Sequence, residues 1–221
     1  MGLDMYLSKA KRINGATAND IDNLNNYFSY VCRPEKYRDS TMKKWCGVHK
    51  SEVNLDLAES YIEEYKTRYS RYDTEHKYGW KSLWEEVAYW RKANMIHNWF
   101  VENVQNGEDD CGTYEVTEEN LADLLDICER VLDASKLVDG KVYNGTTYSM
   151  DGVTEHWDDG KVIEDPSVAE ELLPTASGFF FGGTNYDQYY YEALVYTAKQ
   201  LNEILETTDF AKEMVVYHAS W

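Results

Sequence analysis

Between residues 80 and 102 the chain reads WKSLWEEVAYWRKANMIHNWFVE, which gathers four of its seven tryptophans around Arg91, Lys92, Asn94 and His97. Helical spacing gives this stretch two apolar stripes. Tyr89, Ala93, Ile96 and Phe100 form one, and Trp84, Ala88, Met95 and Trp99 the other. A helix that is apolar on two sides must be covered on both, so the expectation is a tryptophan-rich helix at the centre of the fold. Its polar groups must then find protein partners or face a cavity that binds something, because an unpaired buried polar group costs about 1 to 3 kcal/mol.

The flanking segments supply what such a helix would pack against. Leu3, Met5 and Leu7 alternate with Asp4 and Tyr6, the period of a strand. Thr17 caps a helix whose Ile21, Leu24, Phe28 and Val31 share one side, and Pro34 ends it. Residues 35 to 55 are irregular and mildly basic, and Leu57, Tyr61, Tyr65, Tyr69 and Tyr72 then follow helical spacing. After Gln105 a turn leads into a short strand, and Thr117 caps a helix carrying Leu121, Leu124, Leu125, Ile127, Val131 and Leu132. Residues 138 to 165 contain VDGK, YNGT, MDG and DDGK, and four glycine turns predict a meander of hairpins. Pro166 opens a short helix. Phe179 to Phe181 read as a buried strand end, Gly182 and Gly183 as a tight turn, Tyr186 onward as a long helix, and EMVVYHASW as a last strand.

These elements predict one α+β domain over residues 1–221, with several helices packed on a small, mostly antiparallel sheet and with 138–165 as a hairpin excursion. A chain of 221 residues with 43% hydrophobic content can bury a real core. No run of about 18 apolar residues spans a membrane, and MGLDMYLSKAKR lacks a secretory core, which points to the cytoplasm. In that reducing compartment Cys32, Cys46, Cys111 and Cys128 are expected as free thiols.

Charge is unevenly placed. Residues 101–175 carry 20 acidic against 4 basic side chains, while residues 1–100 carry 14 and 16. Such a surface repels nucleic acid and anionic membranes, since phosphate binding needs clustered Lys and Arg. Two uses remain for the acidic block. It is a solvated face that maintains solubility, or it is a decoy for a basic surface on a partner protein.

The well-marked motifs of phosphate binding, serine hydrolysis and zinc proteolysis are missing, so no cofactor and no catalytic residue is expected. Cys46 and His49 form half a zinc spacing without a second pair. Asp109, Asp110 and Cys111 lack the oxygen spacing of a calcium loop. The candidate ligand site joins the tryptophan segment to the glycine turn. Trp90, Arg91, Lys92, Asn94 and His97 would face Ser177, Thr184 and Tyr186, with Asn98 following on the same helical face. Donors and rings together suit an anionic ligand with a flat base, because Arg pairs with phosphate oxygens while aromatic faces stack on the base. The competing reading has Arg91 and Lys92 in ion pairs with acidic neighbours and His97 as a satisfied core histidine.

MGLDMYL, the run EVAYWRKANMIHNWFVENVQ with DDCGTYEV, and LLPTASGFFFGGTNYDQYYYEAL resemble a group of uncharacterised bacteriophage and prophage accessory proteins. The resemblance covers about half of the chain, transfers no catalytic residue, and implies a setting in the bacterial cytoplasm. Two functions follow as expectations. One is sequestration of a small nucleotide-like ligand to counter host defence, by a protein that is either a monomer or a homo-oligomer. The other is inhibition of a basic host protein by an acidic surface that stands in for nucleic acid. A third option, an enzyme with His97 as acid or base beside Asp110, requires the two to approach each other.

Overall fold

The computed structural model describes residues 2–13, 15–31, 83–178 and 180–221. The chain forms two compact units. One comprises Met1–Ser8, Glu86–Phe210 and Val215–Trp221, and the other Lys9–Glu85 and Ala211–Met214. The architecture is α+β, with helices and two antiparallel sheets. The larger sheet has the strand order β2-β1-β6-β3, built from β1 (Asp4–Lys11), β2 (Glu85–Arg91), β3 (Thr113–Val116) and β6 (Glu213–Ser220). The smaller pairs β4 (Leu137–Ser149) with β5 (Gly152–Ile163). The helices are α1 (Ala18–Val31), α2 (Asn94–Asn103), α3 (Glu118–Ala134), α4 (Ser167–Leu172) and α5 (Gln188–Thr207).

In the larger unit, Leu3, Met5 and Leu7 are fully buried, as their period-two spacing predicts. The closing segment is more than an added strand. Its Met214, Val215, Val216 and Tyr217 are all buried, which suits a strand flanked by β1 and β3 and covered on both faces. Helix α3 presents Leu121, Leu124, Cys128 and Val131 to the core, and α5 presents Tyr190, Leu194, Leu201 and Ile204. Each helix starts where its cap dictates. Thr117 and Asn120 form a reciprocal box at α3, and the Asp187 carboxylate accepts from the Tyr189 and Tyr190 N–H groups at α5.

In the smaller unit, Thr17 caps α1 as expected, its hydroxyl accepting from the Asp20 N–H at 3.2 Å. Ile21 and Leu24 lie on the buried side of that helix. Further on, the Asn25 side-chain oxygen accepts from the Leu83 N–H at 2.8 Å, and the Trp84 indole donates to Asp22 at 2.6 Å.

The described part of this segment, 83–102, is not one helix. It holds strand β2 and then α2, divided at Lys92. The physical reason is alternation within VAYWR, where Ala88 and Trp90 point inward while Tyr89 and Arg91 point outward. Pairing with β1 satisfies the backbone and decides in favour of the strand. The expected meander is a single long hairpin turning at Met150 and Asp151, with Gly140 directly opposite Gly160 inside the ladder. A side chain at Gly140 would stand 2.7 Å from a Val162 methyl, so that glycine serves close packing and not a turn. The strand expected at Phe179–Phe181 is a half-buried turn at Phe180 and Phe181. Pro34, the basic stretch 35–55, the tyrosine stripe at 57–72, Trp80, Cys32, Cys46 and His49 lie outside the described residues. Cys111 and Cys128 are free thiols. No described helix is long and apolar enough to cross a membrane.

Candidate functional site

Lys92 joins β2 to α2 with φ at 60°, a left-handed conformation uncommon for a side-chain-bearing residue. Its N–H donates to the Leu3 carbonyl at 2.8 Å, which fixes the turn to the sheet edge. Gly182 lies against the same turn. A side chain there would stand 3.1 Å from the Lys92 carbonyl oxygen, and its own φ is 92°, so both space and backbone favour glycine.

Asn94 fastens the glycine-rich loop to α2. Its amide nitrogen donates to the carbonyls of Phe181 at 3.1 Å and Gly183 at 2.8 Å, and its oxygen accepts from the Ala176 N–H at 2.9 Å. The tryptophan segment and the glycine loop therefore do meet, but by direct contact. At 2% exposure Asn94 has both amide protons engaged on backbone carbonyls.

His97 lies one turn further along α2, buried, with Phe181 edge-on to its ring at 5.1 Å. Its Nδ1 is 2.7 Å from the Tyr217 hydroxyl and its Nε2 3.1 Å from Asp109 Oδ2. A carboxylate only accepts, so Nε2–H donates to Asp109, while Nδ1 shares a hydrogen bond with the phenol. The Tyr217 hydroxyl is held far above the ordinary phenol range by burial, with the charges of Asp109 and Cys111 adding to the effect, so it stays protonated. The other Asp109 oxygen accepts from the Trp221 indole at 3.0 Å. The result is a carboxylate–imidazole–phenol chain that ties α2 to β6. It ends in the core, where the Tyr217 ring stacks on Phe100 at 4.0 Å.

The remaining sequence-selected residues are dispersed in role. Trp90 is core, its indole donating to the Thr197 hydroxyl at 2.9 Å, and Thr197 in turn donates to the Ala193 carbonyl at 2.7 Å. Arg91 is exposed, with its guanidinium 4.0 Å from Asp4, whose carboxylate also accepts from the Tyr89 hydroxyl. Ser177 and Thr184 are exposed, and the Thr184 carbonyl accepts from the Thr175 hydroxyl at 3.1 Å. The Tyr186 hydroxyl accepts from the Thr175 N–H at 3.3 Å, and its ring meets Tyr190 edge-on. Asp110, the carboxylate paired with His97 in the sequence reading, instead accepts from the Gly112 N–H. Asp109 and Tyr217 were missed there. One signal for Tyr217 existed, since a phenol inside the apolar run MVVYHA needs a buried partner.

Two other features are exposed. On α3, Glu118, Glu119, Asp123, Asp126, Glu129 and Asp133 face solvent opposite the buried leucines. At the base of the hairpin an open concavity of about 710 Å3 is lined by Gly140, Gly160, Gln188 and the ion pairs Lys141–Asp159 and Lys161–Asp139. Among the described residues no group of three or more His, Cys, Asp or Glu is placed to hold a metal ion. Comparison with protein-family models, curated proteins and solved structures finds no match for this chain.

Proposed function

We propose that this protein is an acidic interaction module that occupies the basic, nucleic-acid-binding surface of a partner protein, with α3 in place of a phosphate strand. The spacing of the α3 carboxylates carries this reading. Residues 118–133 span about 22 Å at 1.5 Å per residue, and at 100° per residue the six carboxylates fall within about 140° of arc. Their heights along the helix axis rise in steps of about 1.5 to 6 Å, about 4.5 Å on average, against the roughly 3.4 Å axial rise per charge of a single DNA strand. Among the described residues a single cation, Arg130, pairs with this row, reaching Asp126 at 3.4 Å with both side chains exposed.

The helix also ends against its own electrostatics. Asp133 lies in the last turn of α3, where the dipole favours cations, and that turn has no basic residue. Acid kept where it opposes the helix supports an external use for the charge. Sequestration of an anionic nucleotide has weaker support, because the polar atoms of Asn94 and His97 are already engaged inside the protein. In the phage setting that the resemblance implies, the partner is a host protein.

A displacement assay tests this. Labelled duplex DNA is bound to heparin-retained host proteins, and added protein should release it, less so as salt rises. The variant Glu119→Gln/Asp123→Asn/Asp126→Asn/Asp133→Asn should lose this effect. Equal release by the variant overturns the reading.

A further inference from the structure

The distal half of the β4–β5 hairpin carries an aromatic face that covers nothing among the described residues outside the hairpin. Tyr148 is 79% exposed, Val153 65% and Trp157 46%. The register puts Tyr148 directly opposite Val153, Thr146 opposite Glu155 and Tyr143 opposite Trp157, so these six side chains share one face. Along β5 that face reads Val153, Glu155, Trp157, Asp159, an alternation of apolar and acidic groups at two-residue steps.

A paired ribbon with no covering layer is marginal in water, and this one is braced from within. Tyr143 and Trp157 meet edge-on at 5.6 Å, the Tyr143 and Thr146 hydroxyls bond, and Thr147 contacts His156 at 2.7 Å on the other face. The base is anchored separately. Val142 and Ile163 are buried there, and the Ile163 N–H donates to the Tyr186 carbonyl. An arm braced in this way that holds Tyr148, Val153 and Trp157 exposed around a carboxylate has the make-up of an interaction site.

Its charge selects the partner. Residues 143–158 contain neither Lys nor Arg, and the charge of this face is Glu155, which accepts from the Trp157 indole at 3.3 Å, while Asp158 lies on the opposite face. The two lysines nearer the base are taken up by Asp159 at 2.6 Å and Asp139 at 3.0 Å. Aromatic faces beside carboxylates favour a cation that stacks and pairs at once. Guanidinium does both, while ammonium is a more strongly hydrated point charge.

We infer that this hairpin face docks an extended, arginine-containing segment of a basic protein, with guanidinium groups over Trp157 and Tyr148 and charge pairing to Glu155. The inference rests on the basic-partner reading above and adds a second contact surface to it.

Two synthetic peptides, Arg and Thr alternating over eight residues and the Lys counterpart, serve as probes with the full chain at low salt. Calorimetry should show the arginine peptide bound about tenfold more tightly. Tyr148→Ser, which leaves the Tyr143–Trp157 contact in place, should keep its circular dichroism and its lysine-peptide affinity but lose the preference. A preference that survives this variant, or is missing from the unmodified chain, overturns the inference. So does sedimentation showing a dimer that the same variant abolishes, since the face would then bind a second copy. The two readings fail separately. The α3 variant that ceases to matter for DNA release removes the first and leaves the arginine preference standing, and the hairpin variant does the reverse.

Discussion

Nδ1 of His97 stands 2.7 Å from the hydroxyl of Tyr217, a residue 120 positions later, and both side chains are buried. Tyr217→Phe keeps the ring stacked on Phe100 but leaves the buried imidazole nitrogen without its hydrogen-bond partner, at a cost of about 1 to 3 kcal/mol. Asp109→Asn should cost less, because Asp109 is 29% exposed and water can replace it. Urea unfolding of the two variants checks the order. Equal losses would mean that the solvent-facing end of the chain matters as much as the buried one.

That bond also marks where sequence reading runs out. Strand β1 and helices α3 and α5 were legible because their signals are local, namely alternation at Leu3, Met5 and Leu7, a Thr117 cap, and leucines at helical spacing. The Trp90 region was not, since Trp84 and Ala88, four residues apart, fit helix and strand spacing alike, and so do Met95 and Trp99 further on. The choice fell to pairing with β1, some eighty residues earlier in the chain. Asn94 and His97 were rightly marked as polar groups needing partners. Those partners are the 176–183 backbone, Asp109 and Tyr217, and no local pattern assigns them.

Asn94 should be the most sensitive polar position of the α2 junction. Asn94→Ala removes three hydrogen bonds to the 176–183 loop, about 2 to 4 kcal/mol at roughly 1 kcal/mol each with a further charge for the buried carbonyls. Limited proteolysis should then cut between residues 176 and 183 well below the global melting temperature. Gly182→Ala should loosen the same loop through its backbone strain. Resistance of both variants would show that the loop is held by something other than Asn94.

Cys128 predicts a pH dependence. Burial, aided by the Glu129 charge, pushes its thiol from an ordinary 9.0 up to about 12. The folded state thus resists ionisation that the unfolded chain undergoes first. The contribution is complete below pH 9 and is lost as pH rises toward 12, at no more than about 1.4 kcal/mol per unit. Tyr190 and Tyr217 are raised as well, from 10.0, so they act a unit higher. Between pH 9 and 10 the unfolding free energy of the parent should therefore fall more steeply than that of Cys128→Ala. Parallel slopes in that window would remove the thiol from the account.

The α3 carboxylates should trade stability for binding. Glu119 and Asp123, Asp123 and Asp126, and Glu129 and Asp133 are like-charged neighbours at three- or four-residue spacing, each pair unfavourable by about 0.2 to 0.5 kcal/mol. Asp133 adds a dipole penalty of about 0.3 to 1 kcal/mol at the helix end. Set against the lost Asp126–Arg130 pair and the favourable first-turn position of Glu119, Glu119→Gln/Asp123→Asn/Asp126→Asn/Asp133→Asn should still raise the unfolding free energy, by about 0.5 kcal/mol at low salt. That gain should shrink at high salt as screening removes the repulsion. The same variant should lose DNA displacement while melting higher, a pairing expected of a surface built for a partner and against its own helix. Higher melting with displacement intact would leave the charge row without a binding role.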